Sequence, residues 1–313
     1  MENSFHHVTV LLHETVDAIE VKPDGIYADL TTGGGGHSYE IAKKLGDGGR
    51  LLCFDRDAEA LNAARRRLAP FLDKITFIHK NFESIGATLA ELEIPALDGV
   101  IADLGCSSHQ FDTPERGFAY QYDAPLDMRM DTDAPLTAAD VVNTYSEAEL
   151  FRIIHEYGEE RFASRIASRI VAARKEHPIE TTFALADLIK SAIPAAARAD
   201  GPHPAKRTFQ AIRIEVNREL DAITPAIEAA TRALVPGGRI AIISFHSLED
   251  RLVKLAFSEA SSGCTCPRDF PVCVCGKKPL LKIHNKKPIL PSQDELLANP
   301  RARSAKLRVA EKV

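Results

Sequence analysis

Residues 29–37, Asp-Leu-Thr-Thr-Gly-Gly-Gly-Gly-His, lie between a short apolar stretch and a helical pattern, and they decide the fold. Glycines at a turn from a strand into a helix let the backbone approach a ligand closely, and the helix start presents free N–H groups. Asp55 ends the next predicted strand, 22 positions after Gly33. A carboxylate in that position can accept hydrogen bonds from both ribose hydroxyls of a nucleoside. The two features predict that an adenosine-type cofactor binds at the carboxyl edge of a parallel sheet.

Strand and helix patterns alternate through the first hundred residues. The predicted strands are Gly25–Leu30, Arg50–Asp55, Ile75–His79 and Asp98–Asp103, and the predicted helices are Ser38–Leu45, about Ala58–Leu68 and Ile85–Leu92. Strands separated by helices of this length pair in parallel through right-handed crossovers. We therefore predict an α/β fold built on a doubly wound, Rossmann-like sheet.

The alternation stops after Asp103 and resumes only at an apolar strand over Arg239–Phe245. The intervening residues change from loop composition to helical patterns such as Glu160–Arg174, and a helix from about Lys206 to Leu234 is predicted to break near Pro225. The sequence thus predicts a helical domain inserted between the fourth and fifth strands of the sheet. The predicted boundaries are 1–111 and 206–313 for the cofactor-binding domain and 112–205 for the inserted, substrate-recognition domain.

The composition is that of a soluble globular protein, with 45% hydrophobic and 27% charged residues in 313. No apolar run approaches the roughly 18 residues that a membrane span requires. The first 21 residues lack the basic and apolar regions of a secretory signal. We therefore predict a cytoplasmic protein without a membrane partner.

The net charge of −5 argues against a protein that coats nucleic acid through bulk positive charge. This average hides an asymmetry, because residues 264–313 contain 11 Lys and Arg against 4 Asp and Glu. That segment carries a charge of +7, and the remainder of the chain carries −12. A local basic surface is therefore compatible with the acidic total.

The glycine turn does not fit a dinucleotide. The dinucleotide fingerprint needs a third glycine three positions after its second, where this chain has Ser38 or Tyr39. An NAD-dependent oxidoreductase is therefore disfavoured. Asp29 four residues before a Gly-x-Gly, Asp55 after it and a late Pro-Gly-Gly at 236–238 resemble a class I S-adenosylmethionine methyltransferase instead.

Nine motifs along the chain carry a more specific resemblance. They are His7–Leu12, Gly33–His37, Asp103–Gln110, Glu115–Phe118, Pro125–Asp131, Tyr157–Phe162, Arg207–Arg213, Ile243–Arg251 and Asn299–Ser304. In number and order they resemble the bacterial 16S rRNA (cytosine-N4)-methyltransferase family, the MraW or RsmH type, over essentially the whole chain. The resemblance implies methyl transfer from S-adenosylmethionine to the N4 amine of one cytidine in the decoding centre of 16S rRNA. It also implies that the substrate is the assembled small subunit, with no role for DNA.

The same resemblance implies a set of cofactor contacts, namely Gly35, Gly36, His37, Asp55, Phe82, Asp103 and Gln110. Phe82 follows the third strand, where its ring could flank the adenine or belong to the ordinary core. Asp103 is also the predicted catalytic residue, because it closes the fourth strand beside the expected methyl group. The Pro-Pro-aromatic sequence that follows this position in many DNA amino methyltransferases is missing here. Asp103 could therefore hold the cofactor, accept a hydrogen bond from the target amine, or both.

Two further residues admit competing interpretations. Cys106 could attack a pyrimidine ring, as in carbon-5 methylation, although an isolated cysteine at a strand end is more often a small buried residue. His246 follows the fifth strand and could touch the substrate or cap the next helix.

Two helical patterns place basic or polar residues on one face, as an RNA-binding surface would. Arg161, Arg165 and Arg169 form the first set, and Lys206, Gln210, Arg213 and Asn217 form the second. Each set alone is more typical of a solvated helix face. Together with the basic segment 264–313 they favour binding of RNA phosphates.

Four cysteines, Cys264, Cys266, Cys273 and Cys275, are numerous enough for tetrahedral zinc. Their one-residue gaps differ from the usual zinc knuckles, so a metal, reduced thiols and paired thiols remain open. The oligomeric state is also open. Two other functions remain as alternatives, namely a small-molecule or protein methyltransferase and a non-catalytic S-adenosylmethionine-binding ribosome assembly factor.

Overall fold

The computed structural model describes residues 9–198, 201, 203–263, 266, 270, 272 and 275–313. The chain divides into two compact units, Met1–Gly105 together with Leu220–Val313, and Cys106–Glu219. The second unit interrupts the first in sequence, between the fourth and fifth strands. The predicted domain boundaries, at 112 and 205, lie within the second unit.

The first unit contains a seven-stranded sheet. Its strands are β1 (Ile26–Asp29), β2 (Arg50–Asp55), β3 (Ile75–His79), β4 (Leu97–Asp103), β5 (Leu234–Ser244), β6 (Leu281–Ile283) and β7 (Lys306–Lys312). Their order is β3-β2-β1-β4-β5-β7-β6. β1 to β5 pair in parallel, whereas β7 runs antiparallel to both β5 and β6. The predicted doubly wound sheet is confirmed, and β6 and β7 extend it beyond the five predicted strands.

The described helices begin and end as follows. In chain order they are α1 (Leu12–Ala18), α2 (Gly36–Lys44), α3 (Ala58–Arg67), α4 (Ile85–Glu91), α5 (Ser108–Asp112), α6 (Ala138–Thr144), α7 (Glu147–Glu156), α8 (Ala163–Ala173), α9 (Thr182–Ala192), α10 (Ala195–Arg198), α11 (Lys206–Asn217), α12 (Ile223–Ala233), α13 (Ser247–Ser261) and α14 (Gln293–Ala298). Short 3₁₀ turns cover Ala69–Lys74, Phe82–Ser84, Pro114–Arg116 and Pro300–Ser304. α5 to α11 belong to the second unit.

Two predicted helices differ from the structure. The helix predicted from Lys206 to Leu234 breaks at Arg218, whose left-handed φ of +49° ends α11, and not near Pro225. Pro225 lies in the first turn of α12, where its missing N–H removes no helical hydrogen bond. The helix predicted from Glu160 begins only at Ala163.

The sheet is buried on both faces, which explains why its strands are continuously apolar. In β2, Leu51 and Cys53 belong to one hydrophobic cluster, and Leu52 and Phe54 belong to the other. This division follows from the strand geometry, since successive side chains point to opposite faces. Because β1 to β5 are parallel, their carboxyl ends lie at one edge of the sheet, and so do the polar residues that end them.

The second unit has its own core, formed by the apolar faces of its helices. Ile153 on α7, Ile166 on α8 and Ile189 on α9 are fully buried in it. Each of them lies on the apolar face of its own helix, where buried residues recur at spacings of three and four, as the sequence pattern predicts. Within the ranges that the structure describes, no helix is long and apolar enough to cross a membrane.

Candidate active site

The glycine turn links β1 to α2. Gly33 and Gly35 have left-handed φ angles of +52° and +76°, which other residues adopt only with strain. A side-chain carbon on Gly35 would also lie 3.3 Å from the Cα of Ala64 on α3. Glycine is therefore required at Gly35 both by conformation and by the close approach of α3.

Asp55, at the end of β2, is tied to this turn. Its Oδ2 accepts a hydrogen bond of 2.8 Å from the Gly33 N–H, and its Oδ1 accepts one of 2.9 Å from the Asp57 N–H. Burial raises the pKa of Asp55 to about 6, although both hydrogen bonds oppose that shift. The carboxylate is therefore oriented by the backbone while retaining acceptor capacity for a ligand.

Asp29 ends β1 and is buried. Its Oδ2 accepts a hydrogen bond of 2.6 Å from the Ser38 hydroxyl, and its Oδ1 accepts one of 3.2 Å from the Thr31 N–H. Burial raises the pKa of Asp29 to about 6, and the nearby Asp55 carboxylate acts in the same direction.

Asp103 ends β4, the strand next to β1 on the side away from β2. Its Oδ1 is inaccessible to solvent and has no hydrogen-bond partner among the residues that the structure describes. Burial raises the pKa of Asp103 well above the ordinary value of a carboxyl, and the charges of Asp29, Glu249 and Glu295 raise it further. An unused buried acceptor is costly to the fold, so its position indicates a function.

Gly36 and His37 begin α2. A side-chain carbon on Gly36 would collide with the hydroxyl of Thr9, which shows that the chain near Thr9 packs against the turn. The buried His37 ring places its Nε2 3.1 Å from the Val10 carbonyl oxygen. Contacts of Gly36 and His37 with the cofactor stay a prediction, while the His37 side chain holds the preceding segment.

Phe82 follows β3 and is only partly buried, with its ring packed against the cluster that contains Phe54. Gln110 belongs to the second unit and caps α5, since its N–H donates to Ser107 Oγ at 3.2 Å and its Oε1 accepts from Ser107 N at 3.1 Å. Cys106, also in the second unit, packs against the apolar core of that unit. A contact of Gln110 with the cofactor stays a prediction.

Glu249 on α13 was not among the predicted site residues. It is 1% exposed, and its Oε2 accepts from the Phe245 N–H at 2.7 Å and from the His246 N–H at 3.3 Å. Its Oε1 lies 3.1 Å from His246 Nε2. Glu249 follows His246 by three positions, which is the spacing of a capping box. That spacing was the sequence signal that could have identified Glu249 as the partner of His246. The structure thus confirms His246 as a helix cap.

The second predicted basic face is mostly internal. Arg213 forms two hydrogen bonds of 2.9 Å with the Glu219 carboxylate, and Gln210 donates to the Tyr157 carbonyl at 3.1 Å. Asn217 is buried and accepts from the Met130 N–H at 2.7 Å. The assignment of Arg213, Gln210 and Asn217 to an RNA-binding face is therefore wrong.

The cysteine cluster falls partly beyond the described residues, because Cys264 and Cys273 lie outside them, as do His7 and Val8 of the first motif. Among the residues that are described, no group of three or more His, Cys, Asp or Glu side chains could hold a metal ion.

Three carboxylates thus end three neighbouring parallel strands, β2, β1 and β4. They lie at one edge, around the point between β1 and β4 where the strand order reverses. Ligands of doubly wound sheets bind at this switch point. The oxygens of Asp29, Asp55 and Asp103 are suited to a ligand that has hydroxyl donors at one end and positive charge at the other.

Known proteins resemble this chain over nearly its whole length. A model of the MraW methylase family matches residues 4–313. Relatives named "Ribosomal RNA small subunit methyltransferase H" include those of Brevibacillus brevis, 56% identical over 310 residues that cover 99% of both chains, and of Clostridioides difficile, 56% identical over 309 residues that also cover 99% of both. A relative of the same name from Lachnospira eligens is 56% identical, covering 99% of this chain and 98% of its own. The chain, with its class I methyltransferase sheet, therefore belongs to the MraW methylase family, whose cofactor is S-adenosylmethionine.

Proposed function

We propose that this protein transfers a methyl group from S-adenosylmethionine to the N4 amine of a cytidine in the decoding centre of 16S rRNA, within the small ribosomal subunit. The names of relatives 56% identical to this chain support an RNA substrate from the small subunit. The observation that carries the amine chemistry is the buried, unpartnered Oδ1 of Asp103 at the end of β4. Activity on ribosomal RNA would take place in the cytoplasm.

The residues present fit S-adenosylmethionine. The Asp55 carboxylate, already oriented by the Gly33 N–H, has the acceptor capacity that two ribose hydroxyls need. Gly36 begins α2, and the first N–H groups of a helix have no partner within the helix, so they can donate to a ligand. The Asp103 carboxylate adds negative charge suited to a cationic ligand. The half-buried ring of Phe82 is suited to contact adenine.

We assign the cofactor contacts to Gly35, Gly36, His37, Asp55, Phe82, Asp103 and Gln110, as the motifs imply. Gly35, Gly36 and His37 would contribute mainly backbone groups. Asp55 would bind the ribose, and Asp103 would face the reacting end of the cofactor. The role of Gln110 rests on its motif alone, since its amide oxygen already caps α5.

The cytosine amine is a weak nucleophile because its lone pair is delocalised into the ring, so the enzyme must orient it. S-adenosylmethionine, when bound, supplies a methyl group activated by a positively charged sulfur. Asp103 Oδ1 would accept an amine N–H, which orients the nitrogen and stabilises the positive charge that develops on it. The raised pKa of Asp103 suits it to hold the proton that the amine then loses.

Cys106 is given no covalent role. Cys106 is partly buried against the apolar core of the second unit, as expected for a small apolar residue. We therefore expect Cys106→Ser to retain activity, and complete loss of turnover in a folded Cys106→Ser protein would instead support attack on the pyrimidine ring.

Labelled cofactor tests the proposal. The purified protein would be incubated with methyl-tritiated S-adenosylmethionine and either small subunits or free 16S rRNA from cells that lack the modification, and the modified nucleotide would be mapped by mass spectrometry. We expect N4-methylcytidine at one position in the subunits, and none with Asp103→Ala. If label appeared only in protein or metabolites, the protein would be a methyltransferase with a substrate other than RNA. If the protein bound the cofactor but transferred no label, it would be a non-catalytic assembly factor.

A further inference from the structure

The second unit contains an open cleft of about 240 Å³ that the proposed reaction does not use. It lies between the residues that precede α8, the end of α10 and the start of α11. The polar and aromatic groups that line it are Glu160, Arg161, Phe162, Arg198, His203 and Arg207. The described lining therefore includes three arginines and one acidic residue.

Glu160, the one acid among the described residues that line the cleft, does not neutralise these arginines. Glu160 is buried, and its Oε1 accepts a hydrogen bond of 2.9 Å from the Phe162 N–H. Within the part of the chain that is described, Arg161, Arg198 and Arg207 form no ion pair, whereas Arg213 is paired with Glu219 at 2.9 Å. The described lining of the cleft consequently carries more positive than negative charge.

Arg198 gives the most direct indication of a missing anion. Its Nε is inaccessible to solvent and has no hydrogen-bond partner among the described residues. A buried guanidinium N–H without an acceptor is unfavourable, and burial increases the attraction of the group for negative charge. An anion in the cleft would interact with Arg198 under these conditions.

The neighbouring donors are held in place before any ligand arrives. The Arg161 guanidinium lies 4.7 Å from the centre of the Phe162 ring, and Arg207 Nη1 donates to the Glu159 carbonyl at 2.9 Å. The His203 ring stacks on Tyr120 at 4.4 Å. These contacts restrict the side chains, so that less conformational entropy is lost when a ligand binds.

His203 adds a neutral donor. Its Nδ1 lies 3.2 Å from the Ala205 N–H and accepts from it, which leaves the proton on Nε2. Burial lowers the pKa of His203, and the charge of Lys190 lowers it further. The arginines and His203 are therefore suited to a negatively charged ligand that accepts hydrogen bonds from several N–H groups.

We propose that the cleft binds a backbone phosphate of single-stranded RNA through Arg161, Arg198 and Arg207. This inference rests on the proposed RNA substrate and names the chain's contact to it. Each planar guanidinium group can donate to two phosphate oxygens at once. The acceptor oxygens of a phosphodiester point in several directions, so they suit three arginines better than the two coplanar oxygens of a carboxylate in an acidic peptide do.

The test uses a fluorescein-labelled single-stranded RNA of about twelve nucleotides, within the usual length of single-strand sites. Its affinity would be measured by anisotropy across a range of salt for the wild type and the triple variant Arg161→Gln, Arg198→Gln, Arg207→Gln. We expect the triple variant to raise Kd about tenfold or more. The slope of log affinity against log salt should fall by about 0.7 for one lost phosphate. Inorganic phosphate should compete with RNA for the wild type and not for the variant.

Arg66→Gln is the matched control, because Arg66 is exposed on α3 in the first unit and does not line the cleft. It should change Kd by less than about twofold. Arg198→Lys keeps the charge but not the planar fork, and an intermediate Kd is expected. This single substitution also carries the test if the triple variant does not fold.

Four outcomes separate the possibilities. An unchanged Kd and salt slope in the folded triple variant or in Arg198→Lys, or an equal loss in Arg66→Gln, would overturn the cleft site. Weaker methylation of subunits with unchanged binding of free RNA would point to a protein carboxylate in the cleft and would also overturn it. RNA binding that depends on the cleft while no RNA is methylated would retain the site and refute the proposed function. If the triple variant methylated RNA with an unaltered KM, the proposed function would be retained and the cleft site refuted.

Discussion

The backbone N–H of Gly33 donates a 2.8 Å hydrogen bond to Oδ2 of Asp55, which joins the glycine turn after β1 to the acid that ends β2. The two residues are 22 positions apart in the chain, and parallel pairing of β1 with β2 brings them together. The carboxylate therefore has a fixed orientation before the cofactor binds. This pre-organisation makes the cofactor site sensitive to single substitutions.

We expect Asp55→Ala to weaken S-adenosylmethionine binding about 10- to 100-fold, since hydrogen bonds to a charged group contribute about 1.5–3 kcal/mol. Asp55→Asn should weaken it less, because an amide oxygen can still accept from the Gly33 N–H. Titration calorimetry measures both. Asp98→Asn is the control, since Asp98 Oδ2 accepts from the Ile26 N–H at 3.0 Å, at the other end of β1. Equal losses at Asp55 and Asp98 would contradict the ribose assignment.

Cofactor affinity should increase with pH. Burial raises the pKa of Asp55 to about 6, so most of this carboxyl is protonated at pH 5. Hydroxyl donors favour the ionised form, and binding therefore releases a proton near pH 6. We expect about a tenfold gain in affinity from pH 5 to pH 7. Asp55→Asn should remove most of the gain, and a pH-independent wild-type affinity would disagree with this account.

Asp103→Asn should stabilise the folded protein and abolish methyl transfer. A carboxyl whose pKa is higher in the folded than in the unfolded chain keeps its proton after the unfolded chain has lost it. Stability therefore falls as pH rises from about 4 through the folded-state pKa, and it stays lower above that. Removing the charge beside Asp29 and Glu249 should raise the free energy of unfolding by about 1–3 kcal/mol at pH 8.

Urea denaturation at pH 8 and pH 4 would measure this effect. The gain should be smaller at pH 4, where the wild-type carboxyl already carries its proton. Lower stability of Asp103→Asn at pH 8 would indicate that the carboxylate supports the fold.

Gly35→Ala should destabilise the protein more than Gly237→Ala. Both glycines have left-handed φ angles, +76° and +79°, which cost alanine about 1–3 kcal/mol of strain. Only at Gly35 would the added carbon also lie 3.3 Å from the Cα of Ala64, because nothing lies within 4 Å at Gly237. Denaturant midpoints of the two variants give the difference. Equal midpoints would mean that α3 moves away freely.

Asn217→Ala should destabilise the second unit by about 2–4 kcal/mol, since it leaves buried backbone groups unpaired. Asn217 accepts from the Met130 N–H and donates to the Met128 carbonyl, both at 2.7 Å. Met128 has a left-handed φ of +62°, which these bonds help to hold. Hydrogen exchange of the Met130 amide measures the local effect. An unchanged exchange rate in the variant would refute it.

Sequence patterns predicted the parallel half of the sheet well, because apolar strands such as Leu51–Phe54 and the turn at Gly33 have strong local signals. β7 has a weaker signal. It reads Lys-Leu-Arg-Val-Ala-Glu-Lys, and its polar residues find partners far along the chain, as when Arg308 donates to Asp250 at 2.7 Å. Antiparallel pairing with β5 compensates for the low apolar content of β7.

The sequence by itself determined the family and the positions of Asp29, Asp55 and Asp103 at strand ends, because strand periodicity and motif order are local properties. Tertiary structure decided which groups have free capacity. Arg213 and Asn217 look like an exposed polar face but satisfy internal partners, whereas Arg198 lines an open cleft with an unpartnered Nε. The physical reason is that hydrogen-bond satisfaction and burial depend on contacts between distant segments, which residue spacing alone does not specify.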